Sequence, residues 1–249
     1  MNLAIFSLAT AGILVDRTEA QRLWEAGATV LDARGRVDFV RGHIPGAQRL
    51  DWRVGTEGGF TSGKLGDPQA AAAAFAAVGV RSDQAVLVVG AWDLGWGEEG
   101  RLAWDLLYLG HPRVHVLTGG MSAWTGPTEH LPQSPRPGDF TAHPRPEFRG
   151  RADAPGGRTL VDVREADEFA GAQPYGEARG GHVPGALSLP WKQFLSGIPS
   201  LEKGPLLLYC TGGVRSAMVW VILKDAGWDV VNDDGGWWDY ARLEPQPPR

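Results

Sequence analysis

The sequence predicts an α/β protein built from two tandem units of one design, each a mainly parallel sheet flanked by helices. Three observations carry this: an ordered internal repeat, short apolar β-rich runs that alternate with helical segments, and a proline-rich stretch midway along the chain. The repeat opens with Thr29-Val30-Leu31-Asp32-Ala33-Arg34, then Phe39, then Gly42-His43-Ile44-Pro45-Gly46-Ala47. It recurs as Thr159-Leu160-Val161-Asp162-Val163-Arg164, then Phe169, then Gly181-His182-Val183-Pro184-Gly185-Ala186. Further on, Val86-Leu87-Val88-Val89-Gly90 matches Leu206-Leu207-Leu208-Tyr209-Cys210, and Gly119-Gly120 with Trp124 matches Gly235-Gly236 with Tyr240. Coincidences that keep their order over both halves indicate a tandem duplication.

The elements follow in turn. Residues 18–26 and 70–78 have helical length and composition, whereas 30–33, 86–89 and 114–117 are short, β-branched and apolar. Alternation of this kind implies a largely parallel sheet covered by helices. From about 126 to 155 the chain is rich in proline, glycine and polar residues, which suits an extended connector and argues against a helix. The boundary is placed near Ser134, giving units 1–133 and 134–249, each long enough for its own core. In the second unit the apolar run 206–209 delivers Cys210 into Thr211-Gly212-Gly213-Val214-Arg215-Ser216, and residues 217–226 read as the helix that follows.

Composition excludes several function classes. The formal net charge is -5 and no basic run occurs, which argues against a nucleic-acid partner. No stretch reaches the ~18 consecutive apolar residues of a membrane span. Residues 3–11 resemble the core of a signal peptide, but no Lys or Arg precedes them. That absence favours a cytoplasmic enzyme over the periplasmic alternative. One cysteine excludes an internal disulfide.

Cys210 is the candidate catalytic residue. A thiol at the carboxyl end of a strand, in a glycine-containing loop that opens onto a helix N-terminus, faces backbone amides and the positive end of the helix dipole. With Arg215 five positions on, these surroundings favour a thiolate. The bland alternative is a small buried hydrophobe, the commonest state of a free cysteine.

Taken together, the paired G-H-[IV]-P-G-A motifs, the D-x-R pairs, the loop 210–216 and the Gly-Gly endings resemble the rhodanese family, specifically its two-domain thiosulfate and 3-mercaptopyruvate sulfurtransferases. The resemblance implies two rhodanese-like domains of which only the second is catalytic. It also implies transfer of sulfane sulfur through a persulfide on Cys210, with no metal and no organic cofactor. The implied partners are a small-molecule sulfur donor and a thiol or cyanide acceptor, including a thiol-bearing protein. Substrate-binding candidates are Thr211, Gly212, Gly213, Val214, Arg215 and Ser216.

The first half has lost this equipment. Gly90 stands in the place of the cysteine, Glu99 in that of Arg215, and the connecting loop is four residues longer. Trp92 and Trp96 in that loop are candidates for lining the cleft or for packing across the interface. His43 and His182 share one motif although only one unit holds a cysteine, which points to fixing the turn before Pro45 and Pro184. In the mercaptopyruvate enzymes a histidine at the place of His43 looks toward the sulfur site, so the resemblance adds His43 as a substrate-side candidate. Asp32 with Arg34, and Asp162 with Arg164, read as structural ion pairs.

Donor choice rests on two further residues. The mercaptopyruvate enzymes clamp their carboxylate with two arginines. Here Glu168 stands at the first of those positions, where it is expected to repel a carboxylate, and Arg179 is the candidate for the second. Thiosulfate is therefore the expected donor and mercaptopyruvate the alternative. Two other classes compete: a non-catalytic binding module on the same fold, and a cysteine phosphatase. The phosphatases use C-x5-R, and the shorter C-x4-R of Cys210 to Arg215 makes a tighter cradle that suits a sulfur atom better than a phosphoryl group.

Overall fold

The structure is a computed structural model that describes residues 12–243; the apolar stretch 3–11 lies outside the described residues. Two all-parallel sheets form. The first contains β1 (Leu14–Val15), β2 (Thr29–Asp32), β3 (Gln48–Arg49), β4 (Val86–Val89) and β5 (Val114–Leu117), in the order β1-β5-β4-β2-β3. The second contains β6 (Thr159–Asp162), β7 (Leu187–Ser188), β8 (Leu206–Tyr209) and β9 (Val230–Asp233), in the order β7-β6-β8-β9. Without the edge strand β1 the two orders coincide. Register coincides as well: Thr29 pairs with Val86 and Asp32 with Val89, as Thr159 does with Leu206 and Asp162 with Tyr209.

Local chemistry sets the helices. In α1 (Arg17–Glu25) the Asp16 side chain accepts from the Glu19 amide at 2.9 Å, and in α3 (Pro68–Ala77) Asp67 caps two amides ahead of a proline in the first turn. Short helices α2 (Arg36–Arg41), α5 (Gly120–Ala123), α6 (Ala166–Ala170), α7 (Lys192–Leu195) and α9 (Gly236–Tyr240) fill the connections around the two long ones, α4 (Glu98–Tyr108) and α8 (Val214–Asp225). α8 starts three residues earlier than its composition suggested. Gly213 adopts φ +75°, a left-handed cap that turns the chain directly into the helix, so Val214, Arg215 and Ser216 form its first turn. Gly97 caps α4 in the same way at φ +80°.

The two domains share one apolar cluster because α4 and α8 pack against each other. From Val214 to Leu223 every residue of α8 is buried, and its contacts with α4 require glycine: a Cβ on Gly100 would lie 2.4 Å from the Met218 Cα. Each fully buried Leu, Val or Met in this cluster contributes roughly 1.5–3 kcal/mol. No α-helix occurs between α5 and α6; that stretch holds only one 3-10 turn, Pro146–Phe148. Along it, Gly138, His143 and Arg145 donate to carbonyls of Ala76, Leu109 and Tyr108, and Gly150 then donates to Asn232.

The repeated motifs do the same work twice. Arg34 holds Asp32 through two nitrogens and reaches the Gly42 carbonyl at 2.8 Å; Arg164 holds Asp162 and reaches the Gly181 carbonyl at 2.7 Å. These are the structural ion pairs the sequence suggested, charge-assisted and bidentate. His43 stacks on Phe39 at 3.8 Å and bonds its carbonyl through Nδ1, and His182 does so with Phe169 at 3.7 Å. Among the described residues no helix is long and apolar enough to cross a membrane.

Candidate active site

β8 carries Cys210 to the carboxyl edge of the second sheet, where the thiol is 1% exposed. Its backbone is gripped by the Gly-Gly ending. The Cys210 carbonyl accepts from the Trp237 amide at 2.8 Å, and Gly236, at φ +57°, comes so close that a Cβ would lie 2.4 Å from that oxygen. The first domain repeats this at Gly120, whose Cβ would lie 2.4 Å from the Gly90 carbonyl. The paired glycines are thus needed wherever the short helix that follows closes over the loop. Ser216, in the first turn of α8, donates its hydroxyl to the Cys210 sulfur at 3.5 Å.

Arg215 and Glu168 form the strongest electrostatic feature beside the sulfur. The guanidinium donates through Nη1 to Glu168 Oε2 at 2.6 Å and through Nη2 to Oε1 at 2.8 Å. Thr211 joins them: its hydroxyl donates to Glu168 Oε1 at 2.8 Å and accepts from Arg215 Nη2 at 2.7 Å. Burial pushes the Glu168 carboxyl up, but the hydrogen bonds and charge of Arg215 outweigh it and hold the group below its ordinary value. Burial works against the Arg215 cation too, and the same pair carries its pKa above the usual arginine value. Trp96 and Tyr175 lie over the guanidinium at 5.4 and 5.8 Å and meet each other edge to face.

A pocket of about 260 Å³ opens over Cys210. Its walls come from both domains: Trp52, Arg53, Phe60 and Trp96 from the first, Tyr175 and Trp238 from the second. Of the loop candidates, Thr211, Gly212, Val214 and Arg215 line it with Cys210, whereas Gly213 and Ser216 sit behind the wall. Two candidates do not reach it. His43 is wholly buried in the first domain against Phe39, and Arg179 is turned toward the end of α9, donating to the carbonyls of Leu243 and Tyr240. Glu168 also departs from expectation: it is 1% exposed and engaged by Arg215, so it does not face a substrate carboxylate.

Trp96 lines the cleft, while Trp92 packs toward the core and holds φ +54°. In the first domain a carboxyl occupies the space of the missing thiol. A Cβ on Gly90 would lie 2.2 Å from Glu99 Cδ, and Glu99 Oε1 accepts from the Trp92 amide at 2.8 Å. That site can hold no reactive sulfur. The first domain instead braces the Cys210 loop. Arg101, fully buried in α4, donates to the Gly63 carbonyl at 2.6 Å and to the Gly212 carbonyl at 3.4 Å while holding Asp105 at 2.9 Å.

Comparison with known proteins agrees with this fold. The rhodanese-like domain family matches residues 16–127 and again 146–243. A thiosulfate sulfurtransferase of Corynebacterium glutamicum is 29% identical, covering 83% of this chain and 79% of that protein. A putative thiosulfate sulfurtransferase, SseB, of Mycobacterium tuberculosis is 26% identical over 94% of this chain and 96% of that one. Among solved structures, SseA from Escherichia coli superposes with a TM-score of 0.75 at 22% identity, covering 91% of this chain and 99% of that one. The 3-mercaptopyruvate sulfurtransferase from Leishmania major gives 0.78 at 21%, covering 94% and 75%. With both halves matched, two parallel sheets whose strand order coincides apart from β1 and one cysteine at the edge of the second, the chain belongs to the rhodanese family of sulfurtransferases as a tandem of two rhodanese-like domains.

Proposed function

We propose that the protein moves sulfane sulfur from thiosulfate or a related donor to cyanide or a thiol, including a thiol on a protein, through a persulfide on Cys210. The observation that carries this reading is the position of the chain's one thiol, at the floor of a pocket between the domains and directly ahead of the N-terminus of α8. The Cys210 thiolate attacks the sulfane sulfur of thiosulfate, the S–S bond of the donor breaks, and sulfite leaves with the electron pair. Cyanide or a thiolate then attacks the outer sulfur, which leaves as thiocyanate or as a new persulfide while the Cys210 thiolate is regenerated. Two displacements with a covalent intermediate predict ping-pong kinetics.

Backbone supports the charged intermediate. No side chain caps the first turn of α8, so its free amides are available to an anionic persulfide. The names of the curated relatives favour thiosulfate as donor. The two positions considered for a carboxylate clamp also disfavour mercaptopyruvate, since Glu168 is paired with Arg215 and Arg179 is tied to the end of α9. Phosphatase chemistry is disfavoured by the same ion pair, because both Arg215 amino groups are engaged by Glu168 and offer no free fork to phosphoryl oxygens. A reducing, cytoplasmic setting suits a reactive free thiol.

The test is thiocyanate formation from thiosulfate and cyanide by the wild type and by Cys210→Ser. The serine variant is expected to fold normally and to form none, and full retention of turnover would remove Cys210 from the mechanism. kcat/KM for thiosulfate is expected to exceed that for 3-mercaptopyruvate.

A further inference from the structure

The cations around the Cys210 pocket are not equivalent. Arg215 is in bidentate contact with the Glu168 carboxylate, so its field on a ligand is largely cancelled beyond the reach of the pair itself. The other guanidinium on the wall is Arg53, contributed by the non-catalytic domain just after β3. Its guanidinium carbon lies over two rings, 4.3 Å from the Trp52 centroid and 5.6 Å from that of Phe60. The neighbouring acid, Asp51, is paired with Arg49 at 3.6 Å, and among the described residues Arg53 forms no ion pair. Aromatic stacking orients a guanidinium while leaving its hydrogen-bond donors free. The pocket that holds the sulfur therefore presents, on its exposed wall, a positive group that no carboxylate of the described residues compensates.

We infer that Arg53 is the anion-recognition residue of this site, receiving the negatively charged group of a small sulfur donor, such as the sulfonate oxygens of thiosulfate, so that the sulfane sulfur is directed at Cys210. The identity of the donor rests on the sulfur-transfer reading; the recognition of an anion at this wall does not. Binding and reaction are thereby divided between the domains. The second supplies the nucleophile and the first supplies the charge that selects its substrate.

The experiment uses the chain's one thiol as its reporter. Rates of Cys210 alkylation by iodoacetate, an anion, and iodoacetamide, a neutral analogue of nearly the same size, are compared in the wild type, Arg53→Gln, Arg53→Lys and Arg53→Glu. The ratio of the two rates is expected to fall about tenfold in Arg53→Gln, a change of ~1.4 kcal/mol, further in Arg53→Glu, and little in Arg53→Lys. Added salt should shrink these differences. In the thiosulfate assay, Arg53→Gln should raise KM about tenfold with kcat changed far less. An alkylation ratio that is the same in the wild type, Arg53→Gln and Arg53→Glu overturns the inference, even if thiocyanate is formed. A ratio that falls as expected in a protein that forms no thiocyanate sustains Arg53 as the anion site and overturns the donor assignment instead.

Discussion

Replacing Glu99 by glutamine should make the protein progressively more stable than the wild type as pH rises. The Glu99 carboxyl is completely buried, with one oxygen accepting from the Trp92 amide and the other lacking any partner. Burial is the chief cause that raises its pKa from the ordinary 4.5 to about 7; the backbone hydrogen bonds oppose it, and the nearby Glu98 and Asp32 add to it. Between those two values the folded protein keeps a proton that the unfolded chain has released. The native state is therefore increasingly disfavoured from about pH 4.5 upward, and the loss is complete above about pH 7. At 1.36 kcal/mol per pH unit, the gap between 4.5 and about 7 corresponds to about 3 kcal/mol. Glutamine keeps the acceptor for Trp92 and cannot ionise. Urea unfolding of both proteins at pH 5 and pH 8 should show the stability difference, variant minus wild type, growing by about 2–3 kcal/mol. Taking this difference cancels the other raised carboxyls, Asp105 at about 7 and Asp233 at about 6. Parallel pH profiles for the two proteins would refute the account of a trapped proton in the vacant thiol site.

Two further outcomes follow from the ion pairs. Arg101→Met combined with Asp105→Leu removes a buried pair without stranding either charge, so stability should change by less than the ~3–5 kcal/mol cost of breaking such a pair. The double variant nevertheless loses the contacts to Gly63 and Gly212, and thiocyanate turnover should drop about tenfold if that brace shapes the loop; wild-type kcat in a folded double variant would dismiss the brace. Glu168→Gln unmasks the Arg215 charge, so KM for thiosulfate should fall several-fold while urea unfolding shows a loss of ~3–5 kcal/mol. Because the Glu168 pKa is held below its ordinary 4.5, the pair's contribution is present above that pH and lost as pH falls through the lowered value. Wild type and variant should therefore converge in stability only in acid, and an unchanged KM would show that Arg215 has no influence on the donor.

The duplication and the cysteine loop were legible because both are written in short contiguous segments. Asp-x-Arg, Gly-His-[Ile/Val]-Pro-Gly-Ala and Gly-Gly each form contacts within a few residues or with the adjacent strand end, so the sequence carries them as motifs. The alignment of Gly90 with Cys210 and Glu99 with Arg215 also holds in three dimensions, since Gly97 and Gly213 cap the two long helices identically. The pocket wall was not legible. Trp52, Arg53 and Phe60 are brought to Cys210 only by the packing of α4 on α8, and no local pattern marks them. Glu168 was misassigned for a related reason: its partner, Arg215, lies 47 residues away, and position within a motif does not reveal which charge neutralises which. The available signal was the Glu165-x-x-Glu168 capping pattern at the start of α6, which turns the Glu168 carboxylate back onto the Glu165 amide.

The contact between Gly63 and Gly212 is a meeting of two backbones: a Cβ on Gly63 would lie 1.9 Å from the Gly212 carbonyl oxygen. During synthesis the first domain leaves the ribosome before Cys210 has been made, and domains fold largely in that order. The surface that receives the Cys210 loop is thus synthesised before the loop is. α8, buried along nearly its whole circumference, emerges into a prepared seat on α4 rather than into water, where its apolar residues would invite aggregation. On this order of synthesis, the domain without a cysteine would present the α4 face on which α8 packs.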